Sequence, residues 1–173
     1  MNHMLAQQFQ ALETQRLEIL TYLRKYSWEK LNSAPAGQWS ANQVLAHLIT
    51  AEKLSLQYMK KKMLGIHEAT DTTWLEEVRM LVFTWSQRLP LRYKAPPLVV
   101  ERMPNYPAFE ALLMDWDLAR AELKTLLETI PGNLLKRRIL KHPVAGRINI
   151  RHAMQFFSEH IIHHQHQLNR LLA

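Results

Sequence analysis

Apolar side chains recur along this chain at the three- and four-residue spacing of an α-helix rather than in the alternation of a β-strand. Only four glycines occur in the 173 residues, so few positions interrupt the pattern. The periodic segments span about Leu5–Tyr26, Ser40–Met63, Ala108–Thr129 and Asn149–Leu172. Ser40 and Gln43 form a capping box at the start of the second segment. We therefore expect an all-α fold, a four-helix bundle in a single domain that covers residues 1–173.

The connection between the second and third long helices is unusually long. Within it, Thr72–Gln87 predicts a short helix, and prolines between Pro90 and Pro107 predict a crossover loop over 89–106. The short helix carries the apolar residues Trp74, Leu75, Val78, Leu81, Val82 and Trp85. Further along, we expect a helical turn over Leu134–Ile139 and a loop over His142–Gly146.

Composition narrows the classes of function. The formal net charge is +7, but basic residues cluster only at Lys60–Lys62 and Lys136–Arg138, where we expect solvated helix ends, so nucleic acid is not the expected partner. No apolar run approaches the roughly 20 residues that span a bilayer, and the first residues do not resemble a signal peptide. We expect a soluble cytoplasmic protein without membrane contact. Because the chain has no cysteine, a transition-metal site must use imidazole, carboxylate or water.

Three of the nine histidines are predicted to point into the bundle. His160 and His164 lie one turn apart on the apolar face of the last helix, which also carries Ala153, Phe157, Gln167 and Leu171. The opposite face is mostly polar and is expected to meet water; it holds His152, Glu159, His163, His166 and Arg170. On the second helix, His47 is in line with Val44, Ala51, Leu54 and Tyr58.

Two interpretations of these three histidines are open from spacing alone. They converge on one metal ion, or they are separate core histidines that bond to tyrosine, glutamate or backbone groups. An i, i+4 pair is by itself a weak indication of metal binding. A third inward histidine on another helix strengthens it, because three buried imidazoles without a common partner leave several polar nitrogens to satisfy.

Two segments carry a resemblance to a known family. The stretch from Pro35 to Leu48, with Trp39 before the helix that bears His47, resembles the first conserved segment of the DinB-like superfamily. The stretch from His160 to Gln167 resembles its terminal H-x-x-H-H motif. Residues 131–133 and 142–150 are also similar to the family, whereas residues 66–106 match poorly. This superfamily of four-helix bundles (DinB/YfiT type) includes bacillithiol transferases and mycothiol-dependent maleylpyruvate isomerase.

The resemblance implies a divalent metal bound by His47, His160 and His164. Three imidazoles suit Zn, Ni, Fe or Mn and leave a coordination position open. Gln167 is the first choice as acceptor for the second N–H of a ligand imidazole, and Glu52 and Glu159 are weaker choices. Arg147 and Arg151 are candidates to hold the carboxylates of a thiol, although a solvated role is favoured for both. Trp39, Tyr58 and Tyr106 are expected mainly to pack in the core.

For function, the resemblance implies a low-molecular-weight-thiol S-transferase that acts on small electrophiles in detoxification or stress. The alternative is a non-enzymatic, stress-associated dimeric bundle whose metal site is structural or vacant. A hydrolase is a third possibility, weakened because no general base is evident beside the three histidines. A homodimer is expected by family analogy alone.

Overall fold

The computed structural model describes residues 1–89 and 94–173, and it is an all-α fold built on four long helices. These helices are α1 (His3–Leu23), α3 (Ala41–Met63), α6 (Phe109–Thr129) and α7 (Ile150–Leu172). Three of them begin at side-chain caps, Asn2, Ser40 and Asn149, and the predicted capping box of Ser40 with Gln43 is present. The predicted fold class is thus confirmed, with helix limits within about three residues of those expected.

The core lies between these four helices. Helix α7 packs against α1 and α3, and α3 also packs against α6. Leucine and isoleucine dominate the buried surface, together with Trp116 of α6, whose ring is wholly buried. Fully buried leucine and isoleucine side chains include Leu12 and Ile19 of α1, Leu45 and Ile49 of α3, and Leu112 and Leu123 of α6. Within each helix the two positions lie seven, four and eleven residues apart, spacings that place them on one helix face.

The connections contain more structure than the sequence predicted. Helix α2 (Trp28–Asn32) follows α1, and α4 (Trp74–Arg88) and α5 (Pro97–Glu101) lie in the long crossover. The expected loop over 89–106 therefore includes a helix, which begins with Pro97 at a position where its fixed φ suits a first turn. Residues 90–93 of that expected loop lie outside the described residues.

The loop expected over His142–Gly146 is the turn of a small β-hairpin that the sequence did not predict. Strands β1 (Leu140–His142) and β2 (Gly146–Ile148) pair antiparallel, with Leu140 opposite Ile148. Gly146 adopts φ +79°, a left-handed conformation that favours glycine. Of the helical turn expected over Leu134–Ile139, only the first part is present: a 3-10 turn spans Gly132–Leu134, and the backbone N–H of Arg137 donates to the carbonyl of Leu134. Strand β1 packs against α3 and β2 packs against α4, so the hairpin closes one side of the bundle.

The second basic cluster is not a solvated helix end. Arg137 donates to the carbonyl of Ala69 at 2.6 Å, and Arg138 forms an ion pair with Glu76 at 3.0 Å. The backbone N–H of Arg138 donates to the carbonyl of Thr70. These bonds attach the start of the crossover to the chain that precedes the hairpin. The first cluster does lie at a helix end, in the last turn of α3.

The polar face of α7 was expected to meet water. For His152 and Glu159 this is wrong, and His163 is half-buried. His152 and Glu159 are buried because α4 packs across that face. Arg88 of α4 forms an ion pair with Glu159 at 3.0 Å, and Gln155 donates to the hydroxyl of Thr84 at 2.9 Å. The packed faces of α4 and α7 therefore both carry polar groups, which bond to one another.

In the part of the chain that the structure describes, every helix is too short or too polar to cross a bilayer.

Candidate metal centre

His47, His160 and His164 meet between α3 and α7. The Nε2 atom of His160 lies 3.1 Å from Nε2 of His47 and 3.1 Å from Nε2 of His164. One potential ligand atom from each ring lies within 4.8 Å of the others, the single such group found among residues 1–89 and 94–173. The imidazoles meet edge to face, with ring centroids 4.7–5.0 Å apart. The three histidines chosen from helical spacing are thus brought together at their Nε2 atoms.

Gln167 sets the protonation of one of these rings. Nδ1 of His164 donates a hydrogen bond to Oε1 of Gln167 at 2.9 Å. A neutral imidazole with its proton on Nδ1 keeps a lone pair on Nε2, the atom that points toward the other two rings. This is the arrangement in which a side-chain acceptor orients a metal-binding histidine.

Burial keeps the three imidazoles neutral. Loss of hydration lowers the pKa of His47 to about 4 and that of His164 to about 3, with a smaller contribution from neighbouring histidines. The pKa of His160 is also lowered well below its ordinary value, first by burial and then by His164 and His47. Neutral imidazole is the form that binds a metal ion, so the pocket favours the ligand state of all three side chains at neutral pH.

Aromatic rings surround the three histidines. Trp39 packs against His47 with 5.2 Å between ring centroids, and Phe156 stacks on His160 at 5.4 Å. Trp39 therefore lies directly beside the centre rather than only closing the start of α3. Such apolar walls exclude water and strengthen electrostatic interactions inside the pocket.

Two further histidines lie near the centre, and spacing did not identify either. His142, at the end of β1, packs against Phe156 and Phe83, and its Nδ1 accepts hydrogen bonds from the backbone N–H groups of Val144 and Ala145. Burial lowers the pKa of His142 to about 4. The other is His163, which was expected to face water. It is half-buried, and its Nδ1 donates to the carbonyl of Gln87 at 3.1 Å. Both placements depend on the hairpin and on α4, whose positions no local pattern revealed.

The weaker acceptor candidates are engaged elsewhere. Glu52 is buried against Arg120, at 3.1 Å, and accepts from the indole N–H of Trp116 at 3.4 Å. Glu159 pairs with Arg88. Both carboxylates therefore stabilise helix packing.

The other candidates, two arginines and two tyrosines, form ion pairs, hydrogen bonds or core contacts, or are exposed. Arg151 forms an ion pair with Glu77, and Arg147 is exposed on β2. Tyr106 is buried and donates to Asp115 at 2.6 Å, whereas Tyr58 is partly buried against the core. These contacts agree with the structural roles expected for both tyrosines.

The donor set fits a divalent transition metal. Two nitrogens that each lie 2.0–2.1 Å from one ion are separated by roughly 2.8–3.4 Å in octahedral to tetrahedral sites, and both measured Nε2 separations are 3.1 Å. Imidazole suits Zn, Ni and Fe, while Ca²⁺ and Mg²⁺ prefer oxygen ligands. One hydrogen bond of the three rings is missing: Nδ1 of His47 is buried, and no described residue accepts a hydrogen bond from it.

Comparison with known proteins identifies the family. The model of the DinB superfamily matches residues 11–168, and the chain belongs to that superfamily. The match includes all three histidines and the crossover that the motifs alone did not cover. Curated proteins and solved structures gave no match to the chain.

Proposed function

We propose that this DinB-superfamily protein is a metal-dependent enzyme, with one divalent ion held by His47, His160 and His164. The observation that carries the proposal is the convergence of three Nε2 atoms, two pairs of them at 3.1 Å, in a pocket that keeps the rings neutral. Three protein ligands leave a coordination position for water or substrate, which is typical of catalytic rather than structural zinc sites.

When bound, the ion supplies a positive charge that lowers the pKa of a coordinated water or holds a thiol as its thiolate. The chain's own residues prepare this site. Gln167 holds His164 in the tautomer with Nε2 unprotonated, and Trp39 and Phe156 shield the rings from water.

The reaction that we propose is transfer of a low-molecular-weight thiol to a small electrophile. The thiol sulfur forms a carbon–sulfur bond, the displaced group leaves with the electron pair of the bond that breaks, and the thiol proton passes to solvent. The segments around His47 and His160 resemble the DinB-like superfamily, which includes bacillithiol transferases, and this resemblance supports the proposed chemistry. We propose a role in detoxification or stress on the same basis.

One observation favours the alternative, a bundle whose metal is structural or absent. His47 and His164 are only 5% and 8% exposed, and an enzyme must let substrate reach its metal. A structural role predicts that metal binding raises the free energy of unfolding without supporting turnover.

Metal content tests the site. We expect about one divalent ion per chain after purification or reconstitution, and its loss in His160→Ala. The matched control is His166→Ala, which removes an exposed histidine from the same helix and should retain the metal. Circular dichroism checks that both variants fold. If folded His160→Ala keeps its metal, or the parent chain binds none, the proposed ligand set is wrong.

Turnover tests the reaction. A panel of small thiols is assayed with a chloronitroaromatic electrophile, with and without metal. We expect metal-dependent acceleration that His160→Ala loses and His166→Ala keeps. A metal-loaded protein that gains stability but accelerates no thiol transfer would support the structural alternative instead.

A further inference from the structure

On an ordinary surface helix the apolar face packs inward and the polar face meets water. On α4 this arrangement is reversed. Its inner face, against α7 and the hairpin, includes the polar residues Glu76, Thr84 and Gln87 beside Met80 and Phe83. Its outer face is almost entirely apolar, and no described residue covers it. We define this outer face as Trp74, Leu75, Val78, Leu81, Val82, Trp85 and Leu89.

The outer face is both exposed and continuous. Trp74 is 76% exposed and Trp85 is 68% exposed, and Leu81 between them is 58% exposed. At 100° per residue, all seven side chains fall within about one third of the helix circumference. Scattered exposed apolar residues are normal on a protein surface, but a stripe with two tryptophans is typical of an interaction site.

We propose that the outer face of α4 is a homodimer interface, in which α4 of one subunit lies antiparallel to α4 of a second copy about a two-fold axis. This proposal goes beyond the metal-dependent function and does not depend on it.

The area matches what a stable dimer buries. Complete covering of the two tryptophans and five aliphatic side chains would remove on the order of 800 Å² per subunit from water, an upper limit equal to the size of a standard protein interface. Tryptophan is also the residue type most enriched among those that contribute most of the binding energy in interfaces.

The order of residues along the stripe suits a two-fold axis. Trp74 precedes Val78 by one turn, and Trp85 follows Leu81 by one turn, so these four of the seven residues have the same spacing in both directions. A two-fold contact requires a surface that complements itself. An axis between Arg79 and Met80 would place Trp74 of one subunit beside Trp85 of the other, and Val78 beside Leu81.

Charge at the edge of the stripe does not oppose this approach. Glu77 pairs with Arg151 and His152, and Arg88 pairs with Glu159, so the charges on one edge are compensated within the chain. Arg79, on the other edge, is exposed. The net charge of +7 still repels a second copy over longer distances. Association should therefore strengthen as salt screens that repulsion, whereas binding to an acidic partner would weaken.

Sedimentation velocity of the full chain tests the interface. We expect the parent protein at micromolar concentration to have twice the mass of the 20.4 kDa chain, and Leu81→Glu to have the mass of a single chain. The matched control is Leu118→Glu on α6, where a leucine of similar exposure, 62%, is replaced in the same way and the dimer should persist. A monomeric parent chain, or a dimeric Leu81→Glu, overturns the proposal.

Cross-linking tests the antiparallel order and does not require a disruptive substitution. Because the chain has no cysteine, Val78→Cys and Leu81→Cys each introduce a single thiol. On oxidation we expect a mixture of the two variants to form a covalent heterodimer faster than either variant links to itself. Faster self-linking of Val78→Cys would indicate a parallel arrangement. A parent chain that stays monomeric but binds neutral lipid vesicles through this face would assign the face to a membrane surface instead.

Discussion

Gln167 acts on the candidate metal centre through His164, because its amide oxygen accepts a hydrogen bond from Nδ1 of that ring. We expect Gln167→Leu to weaken metal binding by roughly 10- to 100-fold, the usual effect of removing a partner of a ligand imidazole. Competition with a chromophoric chelator measures the affinity. Asn169→Ala, an exposed substitution two residues along α7, is the control, and an unchanged affinity in Gln167→Leu would contradict the role.

Glu52 and Arg120 form a buried ion pair, and both side chains contact Trp116. The Arg120 guanidinium lies 5.8 Å from the Trp116 ring, and burial raises the pKa of Glu52 although Arg120 lowers it. We expect Arg120→Met to lower the free energy of unfolding by about 3–5 kcal/mol, because it leaves a carboxylate buried without its partner.

A double substitution provides the control for this pair. Arg120→Met combined with Glu52→Leu should recover much of the loss, since no uncompensated charge then remains. Urea unfolding followed by circular dichroism measures both. Lys60→Met, which breaks the exposed pair with Glu122, should change stability by less than about 1 kcal/mol. Additive losses in the double variant would show that the two side chains act independently.

The direction of the three central histidines was predictable from the sequence because it depends only on local spacing. Residues at i and i+4 share a helix face wherever that helix lies, so His160 and His164 could be paired before any packing was known. His142 and His163 could not be found in this way. Their surroundings come from α4 and the hairpin, which are distant in sequence from the residues they approach.

At the level of whole elements, α4 shows where local patterns are insufficient. Its apolar stripe was visible in the sequence, but spacing does not say whether such a stripe faces the core or the outside. Glu159 was expected to face water for the same reason. A polar helix face can instead be covered by the polar face of a neighbouring helix, as α4 covers this part of α7. The three-residue strands β1 and β2 are too short to give an alternating pattern.

The attachment of α4 to α7 depends on the pair formed by Arg88 and Glu159. Glu159 is buried, so Arg88→Met leaves a carboxylate without its bidentate partner, at a loss of about 1–3 kcal/mol. We expect faster amide hydrogen exchange in α4, with exchange in α1 and α6 unchanged. The control is Arg79→Met, an exposed substitution on the same helix. Uniform acceleration in all helices would instead indicate global destabilisation.

At the scale of the whole molecule, buried histidines link stability to pH. His47, His142 and His164 have pKa values of about 4, 4 and 3 in the folded chain, below the ordinary value of 6.5. The unfolded chain therefore binds more protons as pH falls below 6.5. The stabilisation is complete above that pH and is lost progressively as pH falls toward the folded pKa values.

Metal-free protein should consequently unfold at lower urea concentration at pH 5 than at pH 7. Each of these imidazoles contributes about 2 kcal/mol to the difference. Urea titrations in the presence of a chelator measure the midpoint at each pH. His142→Gln removes one buried imidazole and should reduce the pH dependence by about a third of the three-histidine contribution. An equal midpoint at both pH values would contradict the burial of these neutral rings.

The contact between Trp39 and His47 gives the protein an internal optical probe. The two rings lie 5.2 Å apart, a distance at which a paramagnetic ion such as Ni²⁺ on His47 quenches indole emission. The difference between the fluorescence of the parent chain and that of Trp39→Phe isolates this signal from the other four tryptophans. Occupancy of the centre can then be followed in real time, without an added dye and without waiting for turnover.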